Sequence, residues 1–237
     1  MKFAMPLLRG RLIRRYKRFL VDVRLDSGET VTATCPNTGS MIGLNEPGAS
    51  VWLSVSDSPT RKYPHTWELV EARVGKRRTI VGINTGHPNR LVSEAITNGK
   101  IGELAGYGTL RREVKYGQNS RIDVLLQSPD RPDCYVEIKN VHLLRKARLA
   151  EFPDSVTERG IKHLVELSNM VRAGHRAVML YLIQRADAEA LGMARDIDPR
   201  YGQALDNARA VGVEALAYGC HVDPSAIEIR RSVPLTD

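Results

Sequence analysis

Three cysteines, Cys35, Cys134 and Cys220, are odd in number and far apart in this chain. They frame no disulfide network, and none forms the Cys-x-x-Cys pair that would begin a zinc site. A reducing, cytoplasmic setting is expected. No apolar run approaches the ~18 residues of a membrane span, so no membrane partner is expected. The opening MKFAMPLLRGRLIRRYKRFL is basic and lacks the apolar core and cleavage site of a signal peptide. Internal repeats and low-complexity tracts are absent, and no helix-turn-helix is clear enough to name a recognition helix.

The chain does have size and positive charge. Its 237 residues, 42% hydrophobic and 26% charged, suffice for one large domain or two small ones with a real core. The net charge of +8 is unevenly spread: residues 1–82 hold 14 Lys and Arg against 7 Asp and Glu, and residues 83–237 hold 21 against 20. A basic surface confined to the first third attracts polyanions by Coulomb steering and counterion release, although a solvated basic face without a partner has the same composition.

The first third reads as strands and turns. In RFLVDVRLDSGETVTATC, Val21, Val23 and Leu25 alternate with Asp22 and Arg24, and Asp26-Ser27-Gly28 turns the chain into a return strand. SVWLSVS and TWELVEARV are two more strands. About five strands in this length predict a small OB-like barrel. RGRLIRRYKR surrounds Tyr16 with basic residues, and Phe19 follows. Arg11, Arg14, Arg15, Tyr16 and Arg18 are therefore candidate nucleic-acid contacts, the aromatic stacking a base or simply packing in the barrel. CPNTGSM, residues 35–41, is a loop of small polar groups that could hold a phosphate or simply turn the chain.

INTGHPN, residues 83–89, marks the boundary between segments 1–82 and 83–237. Beyond it come a helix (RLVSEAITNG), three strands (GTLRREVKYG, SRIDVLLQ, CYVEIKNVHL), a helix (SVTERGIKHLVELSNMVRAG), a strand (AVMLYLIQ), a helix (DPRYGQALDNARAVG) and a strand (VEALAYGC). This order predicts an α/β domain with a mixed sheet.

Three charges interrupt strands that should be buried. Glu137 and Lys139, two apart, leave the same face of one strand, and Asp123 on the preceding strand can reach that face. Buried unpaired, each would cost several kcal/mol. A structural ion pair would compensate them. So would Mg²⁺ or Mn²⁺ held by Asp123 and Glu137, with a phosphodiester oxygen and a water completing the six oxygens. Lys139 could orient that water and offset negative charge, an arrangement suited to phosphodiester hydrolysis.

The second segment resembles the restriction-endonuclease-like superfamily, whose signature is written PD-(D/E)xK. The resemblance gives Asp123 and Glu137 the cation and Lys139 the water; Ile122 stands where the signature has Pro. It also implies an acid from the first helix, for which Glu94 is the candidate; Glu113 is the other acidic candidate. CPNTGSM, the GINT and PN pair, SRIDVLL, VEIKNVHL, FPDSVTERGIKHLVEL and the DPRYGQAL to GVEALAYGC tail resemble the sugar fermentation stimulation protein A family over almost the whole chain. That resemblance implies an N-terminal OB-like domain, a restriction-endonuclease-like C-terminal domain, a cytoplasmic prokaryotic protein, DNA as partner, and regulation of sugar (maltose) metabolism.

On the helix TERGIKHLVEL, Arg159, Lys162, His163 and Glu166 share one face, so Arg159 and Lys162 are candidate phosphate contacts. Ile161, Leu164, Val165 and Ser168 share the face expected to pack on the sheet, and His163 is expected to face solvent. Two functions compete: a metal-dependent deoxyribonuclease, and a non-catalytic DNA-binding regulator on the same scaffold. A purely structural protein is the third possibility. The chain has room for a homodimer interface, though no pattern marks one.

Overall fold

The computed structural model describes residues 1–75, 77–117 and 120–236. Six strands come first: β1 (Leu8–Tyr16), β2 (Leu20–Leu25), β3 (Thr30–Thr34), β4 (Ser50–Val55), β5 (His65–Val74) and β6 (Arg77–Gly82). Alternation decides what lies inside: Val21, Val23 and Leu25 are buried while Arg24 faces water. β1 pairs with β2 and β4, β2 with β3, and β4 with β5; β3 then closes on β5 in parallel. Closure leaves no free edge among these five strands and gives the OB order. Trp67, Leu53, Met41 and Leu44 belong to the buried core inside. At Gly10 the strands cross so closely that a Cβ would come within 2.6 Å of the Arg24 carbonyl oxygen, which only glycine avoids. The sequence gives no clear sign of β6, because Arg77 and Arg78 obscure its apolar half.

The second half contains α1 (Pro88–Thr97), β7 (Thr109–Tyr116), β8 (Ser120–Ser128), β9 (Arg131–Val141), β10 (Leu143–Lys146), β11 (Leu149–Phe152), α2 (Glu158–Arg172), β12 (Arg176–Ile183), β13 (Ala190–Met193), α3 (Pro199–Ala210), β14 (Glu214–Val222), β15 (Ile227–Ser232) and β16 (Leu235–Thr236). The main sheet runs β15-β14-β12-β9-β8-β7, with β9, β12 and β14 parallel and the outer pairings antiparallel. α1 covers one face, in a core that also takes Trp52 and Leu69 from the barrel. α2 and α3 cover the other. Buried on both faces, β12 is apolar from Ala177 to Ile183, as its sequence implies. The protein is thus an OB-like barrel followed by a mixed-sheet α/β domain of the restriction-endonuclease-like type. The short strands β10, β11, β13 and β16 form a small second sheet that periodicity does not reveal.

The amino terminus adds a link between the halves, and one expectation, for α2, is corrected. The chain crosses between the halves at its start: Lys2 bridges Ala226, and Phe3 N–H donates to Ser225 O at 3.1 Å. The first residues therefore pair with the second domain, and Met1, Phe3 and Leu7 pack against the core that Trp52 and Leu69 of the barrel share with α1. On α2, His163, Glu166, Leu164 and Leu167 are buried, while Val165 is exposed. The helix turns part of its polar side inward because the sheet beneath carries charges that can receive it.

Candidate active site

The ladder between β8 and β9 ends at Val124 and Val136, while β9 continues along β12 as far as Val141. Asp123 is the next residue of β8. Its Oδ2 accepts the Ile138 N–H at 2.7 Å, taking the place of the ladder carbonyl that this amide lacks. Glu137 and Lys139 leave β9 on the face toward α2. Glu137 is 2% exposed. Its Oε1 accepts from Lys139 Nζ at 2.7 Å and is in close contact with His163 Nδ1. Its Oε2 is buried with no hydrogen-bond partner. Arg159 Nε donates to His163 Nε2 at 3.3 Å, so a neutral His163 carries its proton on Nδ1, toward Glu137.

From the first turn of α1, Asn89 Nδ2 lies 2.8 Å from Asp123 Oδ1 and 2.8 Å from Glu113 Oε1. Glu113 sits in β7 with φ +54°, between the pairs Arg112–Val124 and Val114–Ile122 of the β7–β8 ladder. A left-handed backbone at a non-glycine residue within a strand is strained.

These groups open into a cleft of about 800 Å³, whose walls include Thr85, Asn89, Glu113, Arg159 and Lys162. Burial, then the neighbouring charge of Glu137, push the Asp123 carboxyl up to about 6, against the Ile138 amide, Asn89 and Lys139. Burial pushes Glu137 upward too, but the hydrogen bond from His163 and the charge of Lys139 outweigh it and hold Glu137 below the usual carboxylate range. Among the described residues, no group of three or more His, Cys, Asp or Glu is arranged to hold a metal ion by itself.

The structure brings Asp123, Glu137, Lys139, Arg159 and Lys162 to the wall of one cleft. It places Glu94 elsewhere: Glu94 binds Arg90 Nε at 2.6 Å and the Met1 ammonium at 3.4 Å and lies off the cleft wall, because it sits on another side of α1 from Asn89. Glu113 is the acid that lines the cleft. Sequence reasoning misses Asn89 and His163 as site residues. Asn89 lies in a segment legible only as a domain boundary, and an isolated histidine on a polar helix face gives no signal.

The basic strip on the barrel is divided. Arg14 pairs with Asp22 at 2.8 Å and stacks over Tyr16, whose hydroxyl donates to the same Asp22. Arg11 donates to Ser50 Oγ at 2.9 Å and lines a separate cavity with Arg73. Arg15 binds the carbonyls of Arg18, Asn37 and Gly39, and Arg18 binds that of Thr38. The CPNTGSM loop braces the two domains. Ser40 Oγ donates to Asp154 O at 2.6 Å, Met41 N–H to Asp154 Oδ2 at 3.3 Å, and Thr85 Oγ1 to Pro36 O at 2.5 Å. His142 Nε2 lies 3.3 Å from Asp154 Oδ2. Gly39 permits the contact, since a Cβ there would stand 2.7 Å from that same oxygen.

Residues 86–226 match the profile described as the sugar fermentation stimulation protein RE domain, and residues 13–83 match that of the SfsA N-terminal OB domain. The chain is 55% identical over 235 residues to the sugar fermentation stimulation protein homolog of Azorhizobium caulinodans, covering 99% of each chain. It is 56% identical over 237 residues to the homolog of Brucella ovis, covering 100% of this chain and 98% of that one. The solved structure of Pyrococcus furiosus SfsA in complex with Ca²⁺ has the same fold, with a TM-score of 0.89 at 25% identity, covering 100% of this chain and 98% of that one.

Proposed function

This chain belongs to the sugar fermentation stimulation protein family, and from that premise we propose that its cleft binds DNA and hydrolyses phosphodiesters with a divalent cation. One observation carries the reading. Two carboxylates face one cleft, one raised to about 6 by burial and by the other, and the other with Oε2 buried and unpartnered. A bound cation compensates both features at once.

Asp123 and Glu137 would hold Mg²⁺ or Mn²⁺. Oxygen donors suit these hard cations, and two carboxylates leave room for waters and a phosphate. The P. furiosus relative is described with Ca²⁺, another oxygen-seeking cation. Such a cation would supply Lewis acidity toward a phosphodiester oxygen and lower the pKa of a water. Lys139 Nζ, held beside Glu137 and half-buried, orients the attacking water and offsets charge growing on the phosphate. Arg159 and Lys162, on the cleft wall, neutralise flanking phosphates. His163 keeps Glu137 oriented by occupying Oε1 and leaving Oε2.

The alternative, a DNA-binding regulator that does not cleave, is favoured by the closure of Lys139 and His163 on Glu137, which already neutralises that carboxylate. Incubating supercoiled and single-stranded DNA with Mg²⁺ or Mn²⁺ separates the two. Cleavage by wild type that is lost in both Asp123→Ala and Lys139→Ala supports the nuclease. DNA bound but uncut by wild type supports the regulator.

A further inference from the structure

Phe19 is the one exposed aromatic among the described residues, with 51% of its surface in water. It follows a turn whose two preceding residues, Lys17 and Arg18, have φ +49° and +64°. Left-handed backbone at two successive non-glycine residues is costly and persists only where neighbours hold it. Arg15 clamps the Arg18 carbonyl at 2.8 and 3.1 Å, and the Arg18 guanidinium grips Thr38 O at 2.7 and 3.0 Å. Cys35 N–H donates to Phe19 O at 2.7 Å. The ring is thus presented to solvent by a braced turn.

The loop that Arg18 grips is the one docked on the second domain. Two more exposed apolar residues flank that seam. Ile42, 45% exposed, follows Met41, whose N–H reaches Asp154. Val156, 64% exposed, lies two residues beyond Asp154 and three before Arg159 on the cleft wall. Thr85 is itself on the cleft wall and is bonded to Pro36 of this loop. One loop is thus bonded both to Arg18, beside Phe19, and to Thr85 on the cleft wall. The exposed apolar side chains near it accompany the cations Lys17, Arg18 and Arg159.

A duplex hides its base faces in the stack and meets a protein mainly with sugar and phosphate. An unpaired strand offers both charge and base faces, and basic grooves carrying an aromatic platform suit it. Resting on the reading of the cleft as a nucleic-acid site, we propose that the substrate carries an unpaired strand, which runs from the cleft over the 36–42 loop and stacks a base on Phe19. The barrel then selects single-stranded or branched nucleic acid for the cleft, with Ile42 and Val156 as apolar contacts along the way.

The test reads binding in EDTA, so it stands whether or not the cleft cleaves. The probes are a fluorescein-labelled oligothymidylate of about 20 nucleotides and a duplex of equal length. Wild type should bind the single strand more tightly. Phe19→Ala should lose about tenfold affinity for it, with the loss confined to the single strand. Phe19→Trp should restore binding, and its added emission should be quenched by the bases. Trp67 is fully buried and Trp52 nearly so, which keeps both out of contact with the bases, so the wild type supplies the background against which quenching of the added tryptophan is read. Equal affinity for both probes, an equal loss on both in Phe19→Ala, or an unquenched Phe19→Trp overturns the proposal. The cleavage assay of Asp123→Ala answers separately for the cleft.

Discussion

Glu137 and His163 meet through one carboxylate oxygen, Oε1, while Oε2 stays buried without a partner. A histidine that holds one oxygen of a metal-binding carboxylate fixes where the other points. His163→Ala should therefore weaken Mn²⁺ binding by about 10- to 100-fold. His163→Gln, which retains a donor, should lose less. Calorimetric titration of Mn²⁺ into the variants measures both, and wild-type affinity in His163→Ala would remove the positioning role.

Asp123 has a folded-state value near 6 against an ordinary 3.8. Between those values the folded state binds more protons than the unfolded state. Stability from this group is thus present at low pH and lost as pH rises toward and through about 6. Asp123→Asn should stabilise the metal-free protein at about pH 7.5 by about 2 kcal/mol, and the gain should vanish by about pH 4. Urea unfolding in EDTA at the two pH values checks the sign. Cation affinity of the wild type should fall as pH drops below about 6, because the protonated carboxyl is a poor ligand.

Asp154 ties the barrel loop to the second domain through Ser40, Met41 and His142. Asp154→Ala leaves the Met41 amide without that acceptor and should cost about 2 kcal/mol. Thermal unfolding gives the magnitude, and limited proteolysis should show new cuts in the 36–41 loop. An unchanged cleavage pattern would mean that the loop is held without Asp154.

The barrel arginines should differ in their contribution to DNA binding. Arg14 is largely neutralised by Asp22, so Arg14→Gln should hardly alter the salt dependence of binding. Arg15 and Arg18 bind neutral carbonyls and keep their charge available to phosphates. Replacing both with Gln should lower the slope of log affinity against log salt by about 1 to 2 units. Fluorescence anisotropy over a salt series compares the variants.

Much of the cleft is legible in the sequence. Glu137 and Lys139 stand out because a strand has a period of two and charges are costly on its buried face. Asp123 joins them because the preceding strand is antiparallel to theirs. The meeting of Asn89, Glu113 and His163 with the triad depends on distances between elements far apart in the chain. Asn89 and Glu113 are 24 residues apart, yet their side chains meet at 2.8 Å. Glu94 is a helical acid at a plausible place, but helix rotation turns it toward Arg90 and the amino terminus.

The sequence alone determined the order of barrel and α/β domain, the concentration of positive charge in the first third, and the charged triad on its two strands. These follow from local periodicity and composition, which act within a few residues. Tertiary structure decided which side of α2 faces the sheet, which acid joins the cleft, how the CPNTGSM loop joins the two domains, and that Phe19 stays in water. Each of these depends on how separate elements pack together, and a charged or aromatic side chain carries no local mark of whether its neighbour will be solvent, a carbonyl or another charge.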